Sequence, residues 1–566
     1  MKKIRKRWNA AVLAGGIAIL GMTGCSGQRG AAEAVGKETA VSAAETTSMQ
    51  DEALEAAGTP GAAEGEGAVK VQLGEGREKE IAYGPEDLET EWDENQVTGI
   101  TFHDQEASVE GKGASVKGTT VTITEPGTYV VSGVSEDGQI RIDADDTALV
   151  HLVLNGIELS NPTSAPIYGM QKCKVVLTLE PGTKNIIQDG TEYQFENPEE
   201  DEPDAAIFTK GDLTVNGTGE LEVDGNYRCG IRSKGNLKMV SGVLTIRAQQ
   251  DGLKGKESVV IRDGLFTIHA GKDGIKANQD DDENAGYVWI DGGDITIEAE
   301  DDGIQAETAL IVNGGEITIT KCQEGLAGKT VDILGGLIKA QTEDDGINSA
   351  ASVETEMEKM QDQEGVYTRI AGGEIWLNTM ADGIDSNGDL YIEGGTLYLT
   401  GPESRGDGIL DYNGAAYLSG GTVFAAGKAG MMQTFDESST QNYIVMYYPE
   451  IQEQGTLVSL TDAAGTDLGS YAPEKDFEVM IISSPQLQAG STYQVITGEE
   501  TVELSIDGTE TISGEAPKQG GRGPRPEGSD PEPGMNPKGR GEGGTRLERD
   551  GSDRTRPERD GAAGDS

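Results

Sequence analysis

Gly292-Gly293-Asp294-Ile295-Thr296-Ile297-Glu298-Ala299-Glu300-Asp301-Asp302-Gly303-Ile304 is followed about 22 residues later by Gly314-Gly315-Glu316-Ile317-Thr318-Ile319, which leads to Glu324-Gly325-Leu326. The same sentence recurs along the middle of the chain. Its alternations open at Gly242, Gly264, Gly293, Gly315, Gly336, Gly373, Gly395 and Gly421, and its acids fall at Asp251, Asp273, Asp302, Glu324, Asp345, Asp382 and Asp407. A fixed period of this length marks a solenoid, in which stacked neighbours supply the core that no single turn can bury. The second and fourth residues after each glycine are apolar or small, as in Ile295/Ile297, Ile317/Ile319 and Ile375/Leu377. Period two means strands with one face buried. A second alternation precedes each glycine pair (Val288/Ile290, Leu310/Val312), and a short apolar step follows each Asp-Gly (Ile275, Ile304, Ile347, Ile384, Ile409). Three short strands and three corners per turn predict an all-β fold, a right-handed parallel β-helix, with glycine at corners that need positive φ.

Composition agrees with a thin rod. Of 566 residues, 35% are hydrophobic and only 5% aromatic, and 45 Lys+Arg stand against 99 Asp+Glu, a net charge of −54. Such a surface repels nucleic acid and attracts cations. At the N-terminus, Lys2, Lys3, Arg5, Lys6 and Arg7 precede the apolar run Ala10 to Met22 and then Thr23-Gly24-Cys25. This predicts a lipoprotein signal over 1–24, lipidation at Cys25, and a protein anchored by lipid on the extracellular face of a bacterial membrane. The expected order continues with a flexible tether over 25–70 and a cap with irregular opening turns over 71–200. The regular β-helix follows over 201–430, then a small C-terminal β module over 431–515 and a Gly/Pro/charged tail over 516–566. Cys173, Cys229 and Cys322 are expected to be reduced, and the chain to be a monomer.

Equivalent residues of successive turns lie about 4.8 Å apart. The recurring acids should therefore form a column, with bare carboxylates repelling by about 1 kcal/mol per pair in water and about 3 to 4 at an effective dielectric near 20. Calcium, which takes six to eight oxygens in loose geometry, is the natural compensator. The candidate ligands are Asp251, Asp273, Asp301, Asp302, Asp344, Asp345, Asp382, Asp385 and Asp407. Zinc is disfavoured, because His103, His151 and His269 are scattered. Asp before Gly also serves simply to satisfy turn amides. Outward positions of the last turns carry two aromatic ladders, Trp376/Tyr398/Phe424 and Tyr391/Tyr417. Each would either stack on sugar rings or be covered by the C-terminal module.

Three segments, in this order, carry a resemblance: Val153-Leu154-Asn155-Gly156-Ile157, the rungs from Gly230-Ile231-Arg232-Ser233-Lys234-Gly235 to Asp382-Gly383-Ile384-Asp385-Ser386-Asn387-Gly388, and Ser483-Ser484-Pro485 with Gly490-Ser491-Thr492-Tyr493. Over roughly residues 97 to 500 the chain resembles the bacterial extracellular carbohydrate-binding domain-containing β-helix proteins. The resemblance implies a fold similar to polysaccharide lyases, bound calcium, and binding of cellulosic or acidic polysaccharide without catalysis. Glu324 departs from the recurrent Asp. Two alternatives stand beside this reading: a calcium-dependent pectate-lyase-like enzyme, with Lys254, Lys276 or Arg405 as base, and a surface adhesin or spacer without a glycan ligand.

Overall fold

A computed structural model of the chain describes residues 69–73, 77–195, 197, 199–352, 355 and 361–516. The leader, Cys25, all but the end of the tether and the tail beyond 516 lie outside the described residues. The repeat forms a parallel β-solenoid of about 12 turns. One turn reads Ser258–Ile261, Leu265–Ala270, Ile275–Ala277, and each strand pairs in parallel with its counterpart one turn on: Val259 with Val288, Phe266 with Ile295, Ile275 with Ile304. The short strands that follow each acid make a sheet of their own, in which Leu253, Ile275, Ile304, Leu326, Ile347 and Ile384 are in line and fully buried. This continuous stack is the core that the alternation encodes.

Parallel stacking begins earlier than the glycine pairs do, since Gly127–Ser135 already pairs in parallel with Val97–His103. The hairpins Val97–His103/Glu106–Glu110 and Ala114–Lys117/Thr120–Ile123 are antiparallel and close this end. At the other end Phe477–Ser483 runs antiparallel to Ala416–Gly427, and a four-stranded antiparallel sheet follows. Both ends thus cover edges that would otherwise template association.

Glycine has two different roles. The second glycine of each pair, as at Gly315 and Gly336, has φ near +90° (92° and 89°), which a side chain would strain. The glycine of the Asp-Gly step does not adopt positive φ, contrary to the expectation for corners. It is required by close approach: a Cβ on Gly303 would lie 2.7 Å from the Gly325 carbonyl oxygen and 2.7 Å from Ile319 Cδ1. Gly303→Ala is expected to lower stability by about 1–3 kcal/mol through forced separation of two turns, read as a lower thermal midpoint. An unchanged midpoint would show that the corner has slack.

A feature with no counterpart in the sequence reading is a strap laid on the middle turns. The hairpin Val69–Gln72/Glu78–Ile81 and the one-turn helix Pro85–Leu88 place Leu73 and Ile81 against Val260, Tyr287, Trp289, Ala309 and Ile311. Asp87, 0% exposed, receives Lys174 (2.7 Å), Lys238 (2.9 Å) and the Thr214 hydroxyl (2.6 Å). Outward apolar residues on a solenoid were the signal that something covers them.

Candidate functional site

The acids do stack, and the backbone sets their order. Gly252 N–H donates to the Asp273 carbonyl, Gly274 to Asp302, Gly303 to Glu324, Gly325 to Asp345 and Gly346 to Asp382. The ladder ends there. Gly383 donates to Gly408, and Ile384 pairs with Leu410 and not with Ile409, so Asp407 sits one residue out of the column. The insertion at 401–406 shifts the register, and Asp411, opposite Asp385, is the acid that joins the corner instead.

The residue three places after each acid decides whether its charge is compensated. Along the short sheet these positions run Lys254, Lys276, Gln305, Ala327, Asn348, Asp385. Lys254 holds Asp251 at 2.5 Å and Lys276 holds Asp273. Burial works against the Asp251 carboxylate, but Lys254 and Lys276 keep it below its ordinary range. The charge of Asp251, one of the expected calcium ligands, is thus compensated by Lys254, while its Oδ1 is buried without a hydrogen-bond partner. Asp273 is pushed up to about 6 by burial, against the pull of Lys276.

Beyond Lys276 no lysine or arginine among the described residues pairs with the column. Burial, reinforced by Asp385, Asp344 and Asp382, pushes Asp345 up to about 9. Burial with Asp382 and Asp411 takes Asp385 to about 7, and burial takes Asp382 to about 6 against a hydrogen bond from Gly408 N–H. Asp302 and Glu324 are raised mainly by burial, and Asp344 by burial and Asp407. Carboxylates gathered in this way without a cationic partner among the described residues are a deficit of positive charge.

Two groups bring ligand atoms within 4.8 Å of one another: Asp345/Asp382/Asp385, and Asp273/Asp301/Asp302. Next to the first, the buried Oδ1 of Asn348 has no hydrogen-bond partner, and Gln305 Oε1 in the same ladder has none either. An all-oxygen donor set with an unsatisfied amide oxygen fits a hard divalent cation such as Ca²⁺. Asp301 and Asp344 are exposed at the rim.

The aromatic ladders diverge. Trp376 and Tyr398 stack at 4.1 Å, Tyr471 of the C-terminal module packs at 5.9 and 5.2 Å from them, and Phe424 is 0% exposed in that module's core. Phe424 is thus a packing residue with no face for a sugar, which corrects that part of the expectation. Trp376 and Tyr398 pack against that core and are half-buried. Tyr391 and Tyr417 stack at 5.3 Å, remain half-buried, and lie outside the module's core. The residues considered as bases are engaged elsewhere: Lys254 and Lys276 with the column, Arg405 with Glu478 at 2.6 Å.

A profile of the carbohydrate-binding domain-containing protein family matches residues 117–408. A carbohydrate-binding domain-containing protein of Acetivibrio thermocellus is 37% identical over 150 residues, 26% of this chain and 52% of the relative, so the chain spans about half the length of the curated relative it matches. A solved structure described as the polysaccharide lyase-like protein from C. thermocellum, a gadolinium derivative, is 32% identical; the match covers 48% of this chain and 98% of that one, with a TM-score of 0.39.

Proposed function

The chain belongs to the carbohydrate-binding domain-containing protein family, and on that premise we propose that it is a non-catalytic polysaccharide-binding protein, lipid-anchored through Cys25 on the outer face of the bacterial membrane. The family match over the turns themselves carries the glycan part of this reading. Asp345, Asp382 and Asp385, with Asn348 Oδ1 beside them, would hold calcium, and their lack of any lysine partner supports that assignment. Bound calcium would supply positive charge that holds successive turns together and could bridge to uronate carboxylates. Tyr391 and Tyr417 offer the platform for sugar faces, because in the other ladder Phe424 is buried in the module's core and Trp376 and Tyr398 pack against Tyr471. Engagement of Lys254, Lys276 and Arg405 in ion pairs supports binding over lyase chemistry, which needs a free base.

The test is retention of the protein on insoluble cellulose and on polygalacturonate with calcium, with ultraviolet absorbance followed for unsaturated product. Retention without product is expected; product formation would replace the binding reading with the lyase one, and neither would favour a spacer. Substituting both Tyr391 and Tyr417 by Ala is expected to weaken retention roughly tenfold with the fold intact by circular dichroism. Undiminished retention would remove the platform.

A further inference from the structure

The strap and the solenoid enclose a cleft of about 740 Å³, a size that accommodates a short oligosaccharide. Its chemistry is opposite to that of the rest of the chain. Six lysines line it (Lys79, Lys172, Lys210, Lys234, Lys238, Lys256) against four acids (Glu80, Glu202, Glu257, Asp282), a local surplus of two positive charges on a protein of net charge −54.

The register explains how the lysines come together. Lys234 N–H donates to the Thr209 carbonyl and Lys256 N–H to that of Ser233, each the residue before the lysine of the preceding turn. Lys210, Lys234 and Lys256 therefore occupy one corner of three consecutive turns, about 4.8 Å apart. This corner ends the short strand whose beginning carries the acid column. Lys234 is paired with Glu202, and Lys238 with Asp87. Lys172, Lys210 and Lys256 make no ion pair with another described residue. Stacking like charges opposes folding, so a column of ammonium groups needs a counter-charge. The Gln279 side chain also lines the cleft, and its Oε1 is buried without a partner. That oxygen requires a donor, which an unprotonated inorganic anion lacks and a sugar hydroxyl supplies.

We infer that this cleft is a second glycan site, one that binds an oligosaccharide bearing a carboxylate on successive sugars by direct lysine–carboxylate contacts, without calcium. A pyranose chain repeats on the length scale of the lysine corner, and the long lysine stems let the ammonium groups reach carboxylates on rings that are rotated relative to one another. The inference rests on the glycan-binding reading and adds a second place, with a calcium-free mode of reading the ligand's charge.

The experiment is calorimetric titration of the full chain, in excess chelator, with trigalacturonate, with cellotriose and with inorganic sulfate. Trigalacturonate is expected to bind, more weakly as salt rises, while the other two bind at least about tenfold less well. Substituting Lys210→Gln together with Lys256→Gln should lower trigalacturonate affinity roughly tenfold or more. Lys210→Arg with Lys256→Arg should retain most of it. Equal affinity for sulfate, no binding without calcium, or an unchanged affinity in the Gln pair would each overturn the cleft assignment. If the protein is still retained on insoluble glycan in any of those cases, the glycan-binding reading survives alone; if no glycan is retained at all, both fail.

Discussion

Substituting Asp345→Asn is expected to stabilise the calcium-free protein and to abolish most of calcium's own stabilising effect. The carboxyl is pushed up to about 9 by burial and by Asp385, Asp344 and Asp382, with no lysine to offset them. A carboxyl whose folded pKa exceeds its unfolded value costs stability as pH rises through that interval, here from about 4 upward. At neutral pH the amide removes that cost, on the order of 2 kcal/mol or more, or a few degrees in thermal midpoint. Asn keeps an oxygen for the Asp382 N–H, which now donates to Asp345 Oδ1 at 2.9 Å, so charge is the main thing changed. Thermal unfolding with chelator and with calcium, from pH 5 to 8, separates the two effects. Wild-type protein should lose stability with rising pH in chelator and regain it with calcium; the variant should show both effects to a clearly smaller extent, since Asp273, Asp382 and Asp385 still titrate above the ordinary carboxylate range. A variant less stable than wild type in chelator would mean that the acid is a satisfied turn residue.

The second large effect belongs to the strap. Asp87→Asn leaves Lys174 and Lys238 facing a neutral amide at a fully buried position, a change expected to cost about 3–5 kcal/mol. Burial would raise the Asp87 carboxyl, but Lys174, Thr214 and Lys238 outweigh it and hold it below the ordinary range. The contribution is therefore complete above the unfolded pKa near 4 and is lost as pH falls through the lower folded value. Because solenoid stability is local, hydrogen exchange should show protection lost over 78–88 and along Val260, Trp289 and Ile311. The Ile338 to Leu399 turns should be unaffected. Uniform loss across all turns would show that the strap is part of one cooperative unit.

Much of this architecture was legible because its signals are local and repeated. Paired glycines and period-two alternation placed the inward residues of every regular turn correctly, and the acids proved to be neighbours. The turns before Gly242 were harder to see, since they lack glycine pairs although they stack in the same parallel way. Leu73 and Ile81 are isolated apolar residues in a polar segment, so the strap was hidden on its own side. Its footprint, the outward Val260, Trp289 and Ile311, was readable and was not used. Asp407 was misplaced because an insertion beside it conceals a one-residue shift that only strand pairing reveals. The position three residues after each acid was visible as a string, Lys254, Lys276, Gln305, Ala327, Asn348, Asp385. Its meaning appears only when side chains meet in space, where the two lysines neutralise the first acids and leave the later ones bare. Phe424 and Tyr417 look alike in the sequence, and only the docking of Tyr471 and its module distinguishes a core ring from a surface one.

The central proposal is that the column changes character between Lys276 and Asn348, so that the Asp345/Asp382/Asp385 group would hold the divalent cation. Calorimetric titration of calcium into chelator-treated full-length protein tests it most directly, with Asp345→Asn and Asp251→Asn compared to wild type. The account predicts binding that survives in Asp251→Asn and is lost or weakened at least about tenfold in Asp345→Asn. Equal loss in both variants, or binding untouched by Asp345→Asn, would contradict it.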